Sequence, residues 1–179
     1  STTGLDLAYP AFTERVSTGI ERLDAMLCGG YHRGSSVLIT GAPGTAKTSL
    51  SSAFAEAAAR RGERTLYVSF DEAPDQIVRN VASIGVELAP QVAGGALVLR
   101  SLRARAASPE AHVARIRALI REVQPQHLII DPLSALNQHD TGPDAEGAAL
   151  QILELAKSAG ITVLSTSLLG KPVVGVGRF

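Results

Sequence analysis

The sequence has one cysteine, Cys28, and no tryptophan. A lone cysteine excludes an intramolecular disulfide and fits a reducing compartment, so a cytoplasmic location is expected. Three tyrosines and four phenylalanines are the only aromatic residues apart from histidine. They leave little for the base-stacking surfaces of single-strand nucleic-acid binders. Neither sign of charge is in excess, because 17 Lys and Arg balance 17 Asp and Glu. Such a balance provides no field for nucleic acid or an anionic membrane. No apolar run reaches the ~18 residues of a membrane span, and no signal peptide opens the sequence. The four histidines, His32, His112, His127 and His139, lack metal-ligand spacing and read as structural or surface residues. Cys28, at an apolar helix end, reads as a small core residue.

What is present is aliphatic. A chain of 179 residues forms one domain and buries roughly 70% of its unfolded surface without metal or disulfide. Residues 1–16 are irregular, with Pro10 as a breaker, and read as an arm or linker. The domain proper is expected over 17–179. It opens on a helix with Ile20, Leu23 and Leu27 on one face, a Ser/Thr cap before it, and Gly29-Gly30 ending it. Apolar runs at 36–40, 64–70, 96–100, 127–131 and 161–165 read as strands. Helical patterns at 47–61, 74–84, 109–123 and 145–159 fall between them. Strands alternating with helices, each strand apolar throughout, predict a parallel α/β sheet with helices on both faces.

In such a sheet, ligands bind at the carboxyl ends of the strands. The segment Gly41-Ala42-Pro43-Gly44-Thr45-Ala46-Lys47-Thr48 lies there, between the first strand and its helix. It meets G-x-x-x-x-G-K-[ST] at every fixed position except Ala46, which stands where glycine is expected. In this motif, backbone N–H groups and the helix dipole face phosphate oxygens. Lys47 reaches the terminal phosphates and the Thr48 hydroxyl ligates Mg²⁺. Residues Ala42, Pro43, Gly44, Thr45, Ala46, Lys47, Thr48 and Ser49 are therefore the expected nucleotide contacts. Alanine suits a helical backbone at 46, so the replacement reads as tolerated at some cost in affinity. A dinucleotide fold is disfavoured, since G-x-G-x-x-G is absent.

Other polar residues land on the same edge. Asp131 ends the apolar strand and can hold Mg²⁺ directly or through water; the alternative is a cap on the turn with Pro132. Asp71 and Glu72, after the second strand, are candidates to orient the attacking water, with Asp71 also a candidate metal ligand. Their alternative role is to stabilise the start of the helix at Pro74. Thr166 is placed to hydrogen-bond the γ-phosphate, or else is simply a β-branched strand residue. Arg100, Arg103 and Arg105 read as a solvated loop in preference to a phosphate or subunit contact. Asp140, Asp144 and Glu146 read as a solvated loop and helix start. A domain of this kind normally continues with more strands past the glycine-rich stretch from Gly170 to Phe179, so either the domain continues further or residues are missing near Gly170-Lys171.

The chain resembles the KaiC family, circadian-clock ATPases and autokinases of the RecA superfamily. The resemblance rests on Arg15-Val16-Ser17-Thr18-Gly19-Ile20 with Leu23-Asp24, on Gly29-Gly30, and on Ser69-Phe70-Asp71-Glu72 with Arg79-Asn80 and Gly85. The run Ile130-Asp131-Pro132-Leu133-Ser134-Ala135-Leu136 resembles the family's Walker B segment. Spacing is nearer to the second of the family's tandem domains. The resemblance implies a sheet ordered 3-2-4-5-1, and ATP with Mg²⁺ held between subunits of a homo-oligomeric ring, usually a hexamer. It implies clock or signalling partner proteins, Lys47 and Thr48 on phosphate and Mg²⁺, Asp71 and Glu72 as the catalytic acid pair, and Ser83 and Ile84 beside the adenine. Three positions depart from the family: Ala46 for glycine, Asp71 for glutamate, and Pro132 for a small polar residue. The family's trans-acting basic segment and phosphorylated Ser/Thr pair have no counterpart here, so no residue supports autokinase activity.

The expected function is Mg-dependent ATP hydrolysis. The alternative is an ATP-switched oligomerisation module with negligible turnover. A recombinase or helicase domain acting on DNA is disfavoured by the neutral charge and scarce aromatics.

Overall fold

The computed structural model describes residues 12–137 and 143–168. The readings of the arm before Phe12, of His139 and Asp140, of the Asp144 and Glu146 side chains and of the tail from Gly170 lie outside the described residues.

A two-stranded antiparallel ribbon, β1 (Arg15–Val16) and β2 (Tyr31–His32), encloses the short helix α1 (Glu21–Met26). The main elements follow as β3 (Ser36–Gly41), α2 (Lys47–Arg60), β4 (Thr65–Ser69), α3 (Pro74–Ala82), α4 (Ala89–Ala93), β5 (Leu97–Ser101), α5 (Pro109–Val123), β6 (His127–Asp131), α6 (Pro143–Ser158) and β7 (Thr162–Leu168). Strands β3 to β7 make one parallel sheet in the order β3-β7-β6-β4-β5. Numbered within that sheet and taken from the far edge, this is 3-2-4-5-1, the order implied by the resemblance. The ribbon and α4 are additions to the sequence reading.

Alternation along the strands divides the core in two. Leu66, Val68, Leu128, Ile130 and Val163 face α5 and α6, packing on Ile116, Leu119 and Ile152. Tyr67, Ile129 and Leu164 face the other way, onto Phe54 of α2, Ile77 and Val81 of α3, and Leu88. With both faces covered, β4 and β6 are buried along their whole length. Alanines dominate the inner side of α2, and Ala55 and Ala58 are fully buried. Among the described residues, no helix is long and apolar enough to cross a membrane.

Two local readings are corrected. Cys28 is exposed, because α1 stops at Met26 and Cys28 turns the chain away with φ +54°. The Ser/Thr cap of α1 works in reverse: Asp24 inside the helix accepts from the Thr18 amide at 2.7 Å and from the Ser17 and Thr18 hydroxyls. These bonds, set against burial that acts to raise it, hold the Asp24 carboxyl below its ordinary pKa.

At the amino ends of the strands lies a charged knot. Glu63 accepts from Arg33 Nη1 at 2.8 Å, Arg61 Nε at 2.7 Å and His127 Nε2 at 2.6 Å. Burial acts to raise the Glu63 pKa, but these hydrogen bonds outweigh it and bring it from 4.5 down to about 2. His127 is fully buried beside the Phe54 ring. Burial lowers its pKa despite Glu63, so the neutral ring donates Nε2–H to the carboxylate.

Candidate functional site

The carboxyl ends of β3, β4, β6 and β7 come together on one edge of the sheet, with Ser69 in register with Asp131 and Gly41 with Leu168. A cleft of about 550 Å³ opens there. Pro43 to Ser49, Asp71, Glu72, Ile84 and Asp131 line it, as do four residues that sequence reading gave no site role: Asn80, Val81, Pro132 and Leu168. Thus the phosphate-loop, acid-pair and carboxylate positions separately placed at strand ends do share one cavity.

The loop is built by short-range bonds. Thr45 Oγ1 donates to the Ala42 carbonyl at 2.7 Å. Gly44 has φ +78°, with open space where a Cβ would sit, so backbone faces the cleft without a side chain in the way. Ala46 has φ +61° and ψ 20° and forms the N-cap of α2. This corrects the expectation of a helical backbone there: the position is left-handed, and that is the physical reason a glycine belongs in the motif. Lys47 is buried, and its Nζ donates to the Gly41 and Ala42 carbonyls at 2.9 and 2.7 Å. The ammonium therefore sits inside the concave side of the loop.

Opposite the loop, Asp131 accepts three hydroxyl hydrogen bonds. Thr48 Oγ1 donates to Oδ2 at 2.9 Å, the Tyr67 hydroxyl donates to Oδ2 at 2.7 Å, and Thr166 Oγ1 donates to Oδ1. The expectation for Thr166 needs correcting. Its side chain is fully buried, and it fixes the carboxylate instead of reaching into the cleft. Asp131 does more than cap the turn at Pro132, since its carboxylate faces the first turn of α2.

Glu72 is anchored by its amide, which donates to Ser69 Oγ at 3.0 Å, and its Oε2 accepts from Asn80 Nδ2 at 3.1 Å. Asp71 is exposed on the rim. Ile84 lines the cleft with 58% of its surface exposed. Ser83 is not among the lining residues, and its hydroxyl donates to the Asn80 carbonyl at 2.6 Å. Arg105 borders a separate cavity beside Ser108 and His112, away from these residues.

The donor set suits magnesium. A threonine hydroxyl beside one carboxylate offers hard oxygen atoms, and Mg²⁺ takes few protein ligands and completes its shell with water and phosphate oxygens. Among the described residues, no cluster of three or more His, Cys, Asp or Glu side chains could hold a metal by itself. Tyr67, whose hydroxyl reaches Asp131, is a contact of the site that sequence reading missed. The signal was available: alternation places Tyr67 on the same face as Ile129 and Asp131.

The phosphate-type loop, its facing carboxylate and the 3-2-4-5-1 sheet define the class as RecA-like P-loop nucleotide-binding proteins. Comparison with known proteins narrows it. Residues 16–171 match the family model described as "ATPase: KaiC". The chain is 38% identical over 169 residues to "Circadian clock protein KaiC2" of Synechocystis sp., covering 94% of this chain and 30% of that protein. It is 36% identical over 153 residues to "Circadian clock oscillator protein KaiC" of Picosynechococcus sp., covering 86% of this chain and 30% of that protein. The chain belongs to the KaiC family of ATPases. It spans about 30% of the length of these curated relatives.

Proposed function

We propose that this chain binds ATP with Mg²⁺ in the 41–49 cleft and hydrolyses it, as one ATPase domain of a clock-type or signalling protein. The observation that carries this is the Thr48–Asp131 hydrogen bond at 2.9 Å, in a cleft that Glu72 also lines. Lys47 exchanges its loop carbonyls for phosphate oxygens, and the amides of residues 43–48 cradle the phosphate chain. Thr48 and Asp131 would hold the magnesium ion, with Asp71 within the same lining. When bound, that ion supplies neutralisation of the charge spread over the phosphates. Glu72 Oε1, the oxygen not engaged by Asn80, accepts a hydrogen bond from the attacking water and orients it in line; Asp71 assists from the rim. Ile84 offers its exposed apolar surface to the adenine ring, with Ser83 at the turn behind it.

The open side of the cleft, with Asp71, Asn80 and Ile84 on its rim, fits a site closed by a neighbouring copy in a homo-oligomeric, hexameric ring. Clock or signalling proteins are the expected partners, in the cytoplasm. Phosphate release by the full-length protein tests the reading. Glu72→Gln is expected to lower turnover about 100-fold or more while ATP still binds, and Lys47→Ala to abolish both. Unchanged release in both variants overturns it.

One observation favours a second reading. Asn80 already engages one Glu72 oxygen, and Asp71 is a methylene shorter than glutamate, so ATP could drive assembly with negligible turnover. Light scattering with ATP, with ADP and without nucleotide separates the two. Assembly in ATP with no phosphate release supports the second.

A further inference from the structure

Tyr67 is fully buried with its hydroxyl on a residue of the cleft, and the ATPase reading gives it no part. It lies in β4, in register with Ile129 of β6. Because side chains two apart share a face, Tyr67, Ile129 and Asp131 all point toward α2. A diagonal cross-strand reach of this kind is within the span of an aromatic side chain. The ring is fully buried in the core with Phe54, Ile77 and Leu164. A phenylalanine would fill that space equally well. The hydroxyl is the part that packing does not need, and it is 2.7 Å from Asp131 Oδ2. A buried hydroxyl requires a partner, and one given a carboxylate makes a charge-assisted bond roughly twice as strong as a neutral one.

The consequence falls on the metal ligands. Asp131 is held at both oxygens, Oδ1 by Thr166 and Oδ2 by Tyr67, so rotation of the carboxylate plane breaks at least one of these bonds. Thr48 donates its only hydroxyl proton to the same Oδ2. Its oxygen lone pairs are then left free of Asp131. A carboxylate has about four lone-pair positions, and three are taken by hydroxyl groups.

We propose that Tyr67 is a positioning residue that orients Asp131, and through it Thr48, for magnesium. This rests on the assignment of the cleft to ATP with Mg²⁺. Residues that orient metal ligands typically contribute 10- to 100-fold to metal affinity, and the effect belongs to the metal-dependent part of binding alone.

The test is equilibrium ATP binding to the full-length protein, with excess Mg²⁺ and again in EDTA. Wild type, Tyr67→Phe and Thr166→Val are compared, and folding of each is checked by circular dichroism. Wild type binds more tightly with Mg²⁺. In Tyr67→Phe that enhancement is expected to fall about tenfold, with the affinity in EDTA unchanged, and raised Mg²⁺ restores binding. Thr166→Val, which frees the other oxygen, shows the same pattern. Loss of stability is expected under either reading, but a purely structural tyrosine would weaken both affinities alike, and that result overturns the proposal. Full enhancement in both variants overturns it while leaving the nucleotide assignment intact. A wild type that binds no ATP, or binds it equally in EDTA, overturns both.

Discussion

Replacing Ala46 with glycine is expected to make the protein more stable, although it removes a side chain from the start of a helix. Ala46 sits at φ +61° and ψ 20°, where an L-residue brings its Cβ against the next carbonyl at a cost of about 1–2 kcal/mol. Glycine removes that cost but gives the unfolded chain more freedom, which returns roughly 0.5–1 kcal/mol. The alanine methyl is exposed, so little packing is lost, and the backbone bond from Leu50 to the Ala46 carbonyl at 2.9 Å is unaffected. The net gain is about 0.5–1 kcal/mol, or roughly 1–4 °C in Tm for a chain of this size. Thermal unfolding without nucleotide, at fixed protein concentration, measures it. Ala46→Val is the counter-test, since a β-branched residue is still less suited to positive φ; its Tm is expected to fall. A glycine variant with unchanged or lower Tm would refute the claim that the loop holds strain at this position.

Gln124 caps α5 at φ 48° and is exposed, so Gln124→Gly is expected to gain a similar ~0.5–1 kcal/mol in urea unfolding. Gly19, at φ +83°, would place a Cβ 2.4 Å from the Ala53 carbonyl of α2; Gly19→Ala is expected to lower Tm by roughly 5–10 °C. The knot at Glu63 predicts acid sensitivity. Its folded pKa of about 2 lies below its ordinary 4.5, so its contribution is complete above pH 4.5 and lost as pH falls toward 2. At about 1.36 kcal/mol per pH unit the drop is ~3 kcal/mol, reduced by solvent screening to roughly 2. His127, lowered from 6.5, acts in the same direction, because the unfolded chain takes up its proton first. Stability measured against pH should therefore decline below about 6.5 and more steeply below 4.5, and Glu63→Gln should remove the lower step.

Much of this architecture was legible in the sequence for a definable reason. Strands buried on both faces are uniform apolar runs, and a polar residue that ends such a run marks a carboxyl end. Asp131 after Leu128-Ile129-Ile130 is the clearest case, and Lys47–Thr48 after β3 is another. The bounds of α5 and β6 are those read from Pro109, Pro125 and the apolar spacing. Legibility failed where conformation was set by contacts beyond the local pattern. Nothing in the spacing of Leu23 and Leu27 shows that α1 stops before Cys28, since Asp24 reaching back to Thr18 decides that geometry. The left-handed backbone at Ala46 was hidden by alanine's high helix propensity, which describes the interior of a helix and says nothing of its cap.

Thr166 and Tyr67 show a deeper limit. Tyr67 lies in a strand whose reading holds, while Thr166, given a site role past a strand expected to end at 165, lies inside β7, which runs on to Leu168. Position at a strand end identifies candidates for the cleft, but the face of the strand and the depth of the side chain decide what they touch. Thr166 and Tyr67 point to the α2 side and are fully buried, so their hydroxyls meet Asp131 and not a ligand. The carboxylate, in β6, is consequently surrounded by donors from β4, β7 and α2, with Thr48 of α2 lying 83 residues from it in sequence. A motif scan returns Thr48 and Asp131 as two separate ligands. The fold makes them one hydrogen-bonded unit, and the atoms that hold that unit in place belong to the hydrophobic core.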